Sequence, residues 1–354
     1  MIIPALAIVC FGGTLLASRY PSATERLYTQ TIYPKIAEIL SSLSAQVSFS
    51  LDDTFYLLLI LLIPTLVLLL VFRKIRFRAF AKITLNTLAV LYLLFYVLWG
   101  FNYFREDLNT RLQLTDYTAN KTDFIRVFNQ LIETTNAGYC RVDSLNKYTI
   151  DSLVERSYAS LNETLQLHYP AGSRNDKTIT LSRFFAQSGI SGYYGPFFSE
   201  VHVNKHVLPV EYPVVLAHEK AHQFGITSES EANFYAWLIC SRSTSRALQY
   251  SGNLFALRYF FSQARSLKEY PQLVAKISPE VRNDIKNLQQ HWQQLRNENY
   301  ERVASRVNDA YLKSNKVKAG IDDYHGVVKH IMDFSLDSTF QRNHCLETPK
   351  IIHK

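Results

Sequence analysis

The hydrophobic positions of this 354-residue chain are unevenly spread. Long apolar runs crowd into the first hundred residues, and the rest mixes apolar and polar positions at helical or strand spacing. Residues 2–18, IIPALAIVCFGGTLLAS, make a run of about the minimum length for a membrane-crossing helix. It lacks a positive stretch before it, and ASRY is a poor cleavage context, so a retained span is favoured over a cleaved signal peptide. Residues 54–72, TFYLLLILLIPTLVLLLVF, hold 19 positions without a charge, and Pro64 among them is tolerated as a kink. Residues 83–101, ITLNTLAVLYLLFYVLWGF, predict a third span. It runs into Trp99, Phe101, Tyr103 and Phe104, aromatics that suit a membrane interface.

The expected division is therefore an α-helical membrane anchor of three spans over 1–104 and a second domain over 105–354. Arg73, Lys74, Arg76, Arg78 and Lys82 lie between the second and third runs with no acid among them. Residues 19–53 instead carry both signs, with Glu25, Glu38, Asp52 and Asp53 against Arg19, Arg26 and Lys35. Cations gather on the cytoplasmic side. The expectation is a multi-pass protein of the cytoplasmic membrane with its N-terminus inside and residues after 105 outside.

Beyond residue 105 the pattern is mainly helical. Residues 122–135 open with Thr122-Asp123 as a cap and place Phe124, Val127, Phe128 and Leu131 on one face. Residues 149–168 repeat that spacing, and YPAGSRND (169–176) breaks it. KTITLS (177–182) and FFSEVHVN (197–204) read as strands, separated by a loop punctuated by Gly189, Gly192 and Gly195. From Pro213 to about 335 the chain reads as helix, with Leu254, Leu257 and Phe260 as a core stripe. The tail from 337 reads as irregular.

One constellation carries chemistry. Within PVVLAHEKAHQF (213–224), His218 and His222 stand four apart, so both imidazoles leave one helical face about one turn apart. Two neutral imidazoles so placed can meet one tetrahedral Zn²⁺. Glu219 lies beside them, where a carboxylate can take a proton from the attacking water and pass it to a leaving amine. Such a site needs a third protein ligand. In SESEANFYAWLIC (228–240), Ser228 caps a new helix, Glu229 sits in its first turn, and Glu231 completes a capping box. Glu229 is the favoured third ligand and Glu231 the alternative. Asn233, four residues after Glu229, could accept from the far nitrogen of a ligand histidine.

HEKAH followed by ESEAN resembles the gluzincin class of zinc metallopeptidases, where a second helix supplies a glutamate ligand. The whole chain is also similar to an uncharacterised bacterial membrane family through WGFNYFR (99–105), GISGYYGPF (189–197), EVHVN (200–204), HEKAHQFG (218–225) and EANF (231–234). The resemblance implies a mainly α, α+β zincin-like domain with a small sheet and an edge strand along the HExxH helix, where an extended peptide adds. FFSEVHVN is the natural candidate for that strand. Tyr193, Tyr194 and His202 are candidates for contacts to substrate or oxyanion. Lys220 departs from the family pattern in placing a charge inside HExxH, where solvent exposure is the simplest reading. Only six residues separate His222 from Glu229, a short insert for the class. The implied partners are the bilayer and a peptide or protein substrate of the cell envelope. A catalytically inactive zincin-like binding module is the alternative.

Composition changes the picture little. The formal net charge of +8 invites a nucleic-acid reading, but no basic helix interleaves with aromatics, and none is expected as a partner. Cys10, Cys140, Cys240 and Cys345 have no zinc-ligand spacing, and Cys10 lies in an apolar run, leaving at most one disulfide among the others. No small-xxx-small motif specifies self-association.

Overall fold

Each apolar run becomes one long helix in the computed structural model, which describes residues 2–142, 145–169 and 172–343. The helices Ile2–Arg19, Leu51–Val71 and Phe77–Leu98 are long and apolar enough to cross a membrane. The second begins three residues earlier than its hydropathy indicates, because Ser50 caps it: the Oγ accepts from the Asp53 amide at 2.8 Å. Two further amides of that first turn, from Leu51 and Asp52, donate to the Glu200 carboxylate at 3.1 and 2.9 Å. The third begins six residues early, so Arg78 and Lys82 lie in its opening turns, and it ends at Leu98 before a 3-10 turn over Gly100–Phe104.

The stretch between the first two apolar helices is itself largely helical, through Pro21–Thr24, a π-helical Glu25–Ile32 and Tyr33–Ser44. It packs against the chain beyond residue 105. Tyr33 is buried, and its hydroxyl donates to the Gln223 carbonyl at 2.7 Å. Arg105 then ties Glu25, in the same stretch, to the Gly225 carbonyl.

The remaining chain is mostly helical with a small three-stranded sheet. Strands β1 (Asp176–Thr178), β2 (Gly192–Gly195) and β3 (Glu200–Val203) lie in the order β1-β3-β2, with β1 parallel and β2 antiparallel to β3. The segment expected to provide an edge strand, FFSEVHVN, therefore supplies the central strand, and GYYG forms the edge. KTITLS is strand only to Thr178, and Ser182 already opens the short helix Ser182–Gln187.

Helices Lys121–Gly138 and Lys147–Leu161 are capped by Asn120 and Asn146, not by Thr122-Asp123. At the centre lies Glu229–Ser241, of which every residue from Glu229 to Cys240 is buried. A helix buried on all sides needs partners on all sides. Tyr212–Gln223, Arg246–Ala264 and Val327–Leu336 supply them. Leu254, Leu257 and Phe260 are core, and Phe260 stacks against Phe124 and Phe128 at 5.4 Å centroid distances. Ser338–Asn343 is helical, against the irregular tail expected from 337. Cys10, Cys140 and Cys240 are free thiols, and Cys345 lies outside the described residues.

Candidate metal centre

Pro213 stands in the first turn of Tyr212–Gln223, where its missing N–H costs nothing. The helix stops at Gln223, and Gly225 turns the chain with φ +82°, a left-handed value glycine adopts without strain. Ser228 then caps Glu229–Ser241, its Oγ accepting from the Glu231 amide at 3.4 Å. Helix, turn and capped helix thus follow within a few residues, and they bring three side chains together.

His218 Nε2 and His222 Nε2 are 3.1 Å apart. Glu229 Oε2 lies 3.2 Å from the first and 3.5 Å from the second. A tetrahedral Zn²⁺ with bonds of about 2.0–2.1 Å requires ligand atoms about 3.3–3.4 Å apart. The triangle fits that requirement. Two details distinguish it from an ordinary ion pair. Glu229 Oε2 is buried with no well-aligned hydrogen bond among the described residues, although two ring nitrogens stand beside it. His222 Nδ1 lies 2.7 Å from the Ile226 carbonyl, which can only accept. The Nδ1 therefore carries the proton, and in the neutral ring the Nε2 lone pair points toward the shared centre.

Glu219 joins a looser triad, its ligand atom and those of the two histidines lying within 4.8 Å of one another. The Glu229 triangle is tighter, which leaves Glu219 beside the centre. Burial raises the Glu219 pKa, offset in part by the two imidazoles and reinforced by Glu229. Burial opposes ionisation of Glu229 too, yet the histidines hold its pKa low, and the same carboxylate raises that of His222 against its own burial. Two buried carboxylates facing two imidazoles form a donor set that favours a shared cation.

Glu219 is placed by the sheet. A Cβ on Gly192 would stand 2.6 Å from Glu219 Oε1 and 2.8 Å from the His202 carbonyl, so only glycine lets edge strand β2 lie against this carboxylate. Trp99 closes another side: its Nε1 donates to the His222 carbonyl at 2.9 Å, and its ring stands 5.4 Å from that of Tyr194.

The other candidates divide. Glu231 points away from the centre, with Oε2 2.6 Å from Arg111 and Oε1 accepting from the Leu108 amide at 3.0 Å. The Asn233 amide nitrogen donates toward the Tyr259 hydroxyl and the Tyr324 carbonyl, while the Ile226 carbonyl holds His222 in the manner expected of Asn233. Tyr194 shares the β2 face that meets the motif helix, and its hydroxyl lies 3.3 Å from that of Tyr33. Tyr193 and His202 share the opposite face and stack at 4.2 Å. The Tyr193 hydroxyl bonds Asp53, and His202 is fully buried with Nε2 2.7 Å from Ser50 Oγ. Strand alternation turns both away from the centre.

Lys220 is fully buried rather than solvated. Its ammonium lies 2.5 Å from Glu155, 2.9 Å from Asp151 and 2.8 Å from the Arg174 carbonyl. The charge inside HExxH faces the helix Lys147–Leu161, away from the histidines.

Sequence reasoning missed a wall of phenols. Tyr324, in the 3-10 stretch Gly320–Gly326, has its pKa pushed well up by burial and then by the nearby charge of Glu229. The Glu229 charge reaches Tyr103, Tyr259 and Tyr311 as well. These four residues come from distant parts of the sequence, and no local motif announces them.

Residues 28–332 match the family described as protein of unknown function (DUF3810), and the chain belongs to that family. The match takes in the second and third apolar helices, the sheet and both helices of the centre. No curated protein and no solved structure matches the chain.

Proposed function

We propose that this chain is a membrane-anchored, zinc-dependent peptidase whose site faces the extracytoplasmic side of the cytoplasmic membrane. The observation that carries the reading is the triangle of His218 Nε2, His222 Nε2 and Glu229 Oε2, with sides of 3.1, 3.2 and 3.5 Å and Glu219 beside it. These three residues would hold Zn²⁺, which supplies Lewis-acid polarisation of the scissile carbonyl and a lowered pKa for the attacking water.

The chain's own residues do the rest. Glu219, kept basic by burial, takes a proton from the water and returns it to the leaving amine. The open edge of β2 receives an extended peptide as a further strand, which sets the scissile bond beside Glu219. Tyr324, whose buried phenol lies near the Glu229 charge, is the candidate donor to the developing oxyanion. The Tyr193 hydroxyl, already bonded to Asp53, is not free for that role. The cation-rich 73–82 segment, the 72–76 link and the first turns of the third apolar helix, supports a cytoplasmic position for that end of the helical hairpin, and hence the outer position of the centre. The inactive-module alternative drew on Lys220 and on the short His222–Glu229 spacing; burial of Lys220 against Asp151 and Glu155 turns its charge away from the histidines, and the short spacing still speaks for that alternative.

The test is metal content and hydrolysis measured together on detergent-purified full-length protein. One equivalent of zinc in the parent and almost none in His218→Ala supports the centre. Turnover of a peptide library that disappears in Glu219→Gln supports the chemistry. Zinc with no turnover would favour a binding module, and no zinc in the parent would sink both readings.

A further inference from the structure

The helix Glu298–Ser314 carries an apolar stripe that the described residues leave largely exposed. Tyr300, Val303, Val307 and Tyr311 repeat at helical spacing and are between 39% and 64% exposed. Asp309 and Lys313 lie across the helix from them, and Arg302 and Arg306 flank the stripe on its exposed side. Leu181 and Phe184 extend the patch, Phe184 meeting Tyr300 at a 5.6 Å centroid distance.

The position of this helix decides what covers the stripe. Its C-terminal end sits on the close of the third apolar helix. Tyr311 stands 6.1 Å from Phe95, its hydroxyl accepts from Tyr103 at 3.0 Å, and Asn315 Oδ1 accepts from Tyr96 at 3.0 Å. Its N-terminal end sits near the opening of the second. The Asn297 amide donates to the Gln187 carbonyl at 2.9 Å, joining it to the Ser182–Gln187 helix. Just before that helix, the Thr180 amide donates to Asp53 in the first turn of Leu51–Val71 at 2.7 Å. The short 72–76 link joins the other ends of these two apolar helices, so their Leu51 and Leu98 ends lie on one side of the membrane. A helix of 17 residues, about 25 Å long, thus reaches from one membrane entry point to the other.

We infer that the 298–314 helix, with Leu181 and Phe184, lies in the headgroup–acyl interface of the same leaflet, as an amphipathic helix does. The occupant of the stripe is lipid. Continuity with two apolar helices argues for it, because the patch begins where their apolar surface ends. The inference rests on those helices lying in a bilayer and is independent of the hydrolytic reading. It also places the phenol wall close to lipid, since Tyr311 belongs to both the stripe and that wall.

The experiment introduces the photoreactive residue benzoylphenylalanine, singly, at Val303, Val307, Asp309, Lys313 or Leu61. Each full-length protein is reconstituted in phosphatidylethanolamine–phosphatidylglycerol vesicles and irradiated, and adducts are read by mass spectrometry. Leu61, mid-way along the second apolar helix, is the internal standard. Lipid adducts at 303 and 307 approaching the Leu61 yield, and roughly tenfold above those at 309 and 313, are expected. Equal yields on both faces overturn the inference, as do adducts from 303 and 307 to a second protein chain. Absence of lipid adducts at Leu61 overturns it with its premise. A loss of zinc or peptidase activity in the variants bears only on the proposed function.

Discussion

His222 donates from Nδ1 to the carbonyl of Ile226 at 2.7 Å, across the turn made by Gly225. The bond fixes the imidazole through a backbone atom, so the geometry of the turn is part of the centre. Gly225→Ala would force a side chain into the left-handed region and set its Cβ 3.0 Å from Tyr33. The expected cost is about 1–3 kcal/mol in stability. Misdirecting the carbonyl is expected to weaken zinc binding by roughly 10–100-fold. Competition with a chromophoric chelator measures the affinity, and unchanged affinity would detach the turn from the site.

Glu229 and Glu231 are two residues apart in one helical turn and have separate fates. Glu229→Gln is expected to lose zinc while the domain stays folded. Glu231→Gln is expected to keep zinc and lose stability by roughly 3–5 kcal/mol, because Arg111 is left buried without its carboxylate. Zinc stoichiometry beside thermal unfolding separates them, and a reversed pattern would exchange their roles.

Gly192→Ala tests how β2 seats Glu219. Its Cβ must displace either the carboxylate or the β3 backbone. Glu219→Gln removes the base itself, and general-base loss costs roughly 10²–10⁴ in kcat. Both variants should retain zinc, with Gly192→Ala falling between the parent and Glu219→Gln. A Gly192→Ala protein with parental kcat would show that β2 can move aside freely.

Lys220→Met removes a fully buried ammonium and leaves Asp151 and Glu155 without it. A destabilisation of roughly 3–5 kcal/mol is expected. The folded fraction should hold as much zinc as the parent, since the ammonium does not reach the histidines. Folding intact with zinc lost would assign Lys220 to the centre.

Glu200 predicts an acid limit to stability. Burial pushes its pKa upward, but hydrogen bonds from His202 and Lys177 and from the Asp52 and Leu51 amides bring it down to about 2. A carboxyl depressed on folding stabilises above its unfolded pKa of about 4.3 and loses that contribution as pH falls through the folded value. The contribution is roughly 2–3 kcal/mol at neutral pH. Thermal unfolding between pH 7 and 2 should show it, and Glu200→Gln should flatten the curve and lower it at pH 7. A parental slope in the variant would move the acid sensitivity elsewhere.

Much of this arrangement was legible in the sequence because it depends on short-range spacing. Two histidines four apart on a helix, Gly225 as its stop and Ser228 as the next cap are local signals, and the structure places each accordingly. The apolar helices were legible as runs but not at their ends. Ser50 and Glu200 extend one of them through capping bonds that hydropathy does not register. Strand order was not legible either. FFSEVHVN is the more apolar segment and so takes the centre of the sheet, while glycine-bracketed GYYG lies at its edge. Lys220 misled because a charge reads as exposed until its partners, Asp151 and Glu155, are brought in from another helix. The phenol wall was invisible for the same reason: Tyr103, Tyr259, Tyr311 and Tyr324 come within reach of the Glu229 charge only after tertiary folding.

The three clustered donor atoms come from twelve consecutive residues, 218–229. Closing so short a loop is entropically cheap compared with gathering the four phenols, spread from residue 103 to 324. Bringing the donor atoms together needs only the short 218–229 segment to turn back on itself. The phenols near Glu229 close around it only when residues 311 and 324 have been added. The donor atoms are thus local in sequence, while what surrounds them is gathered from the length of the fold.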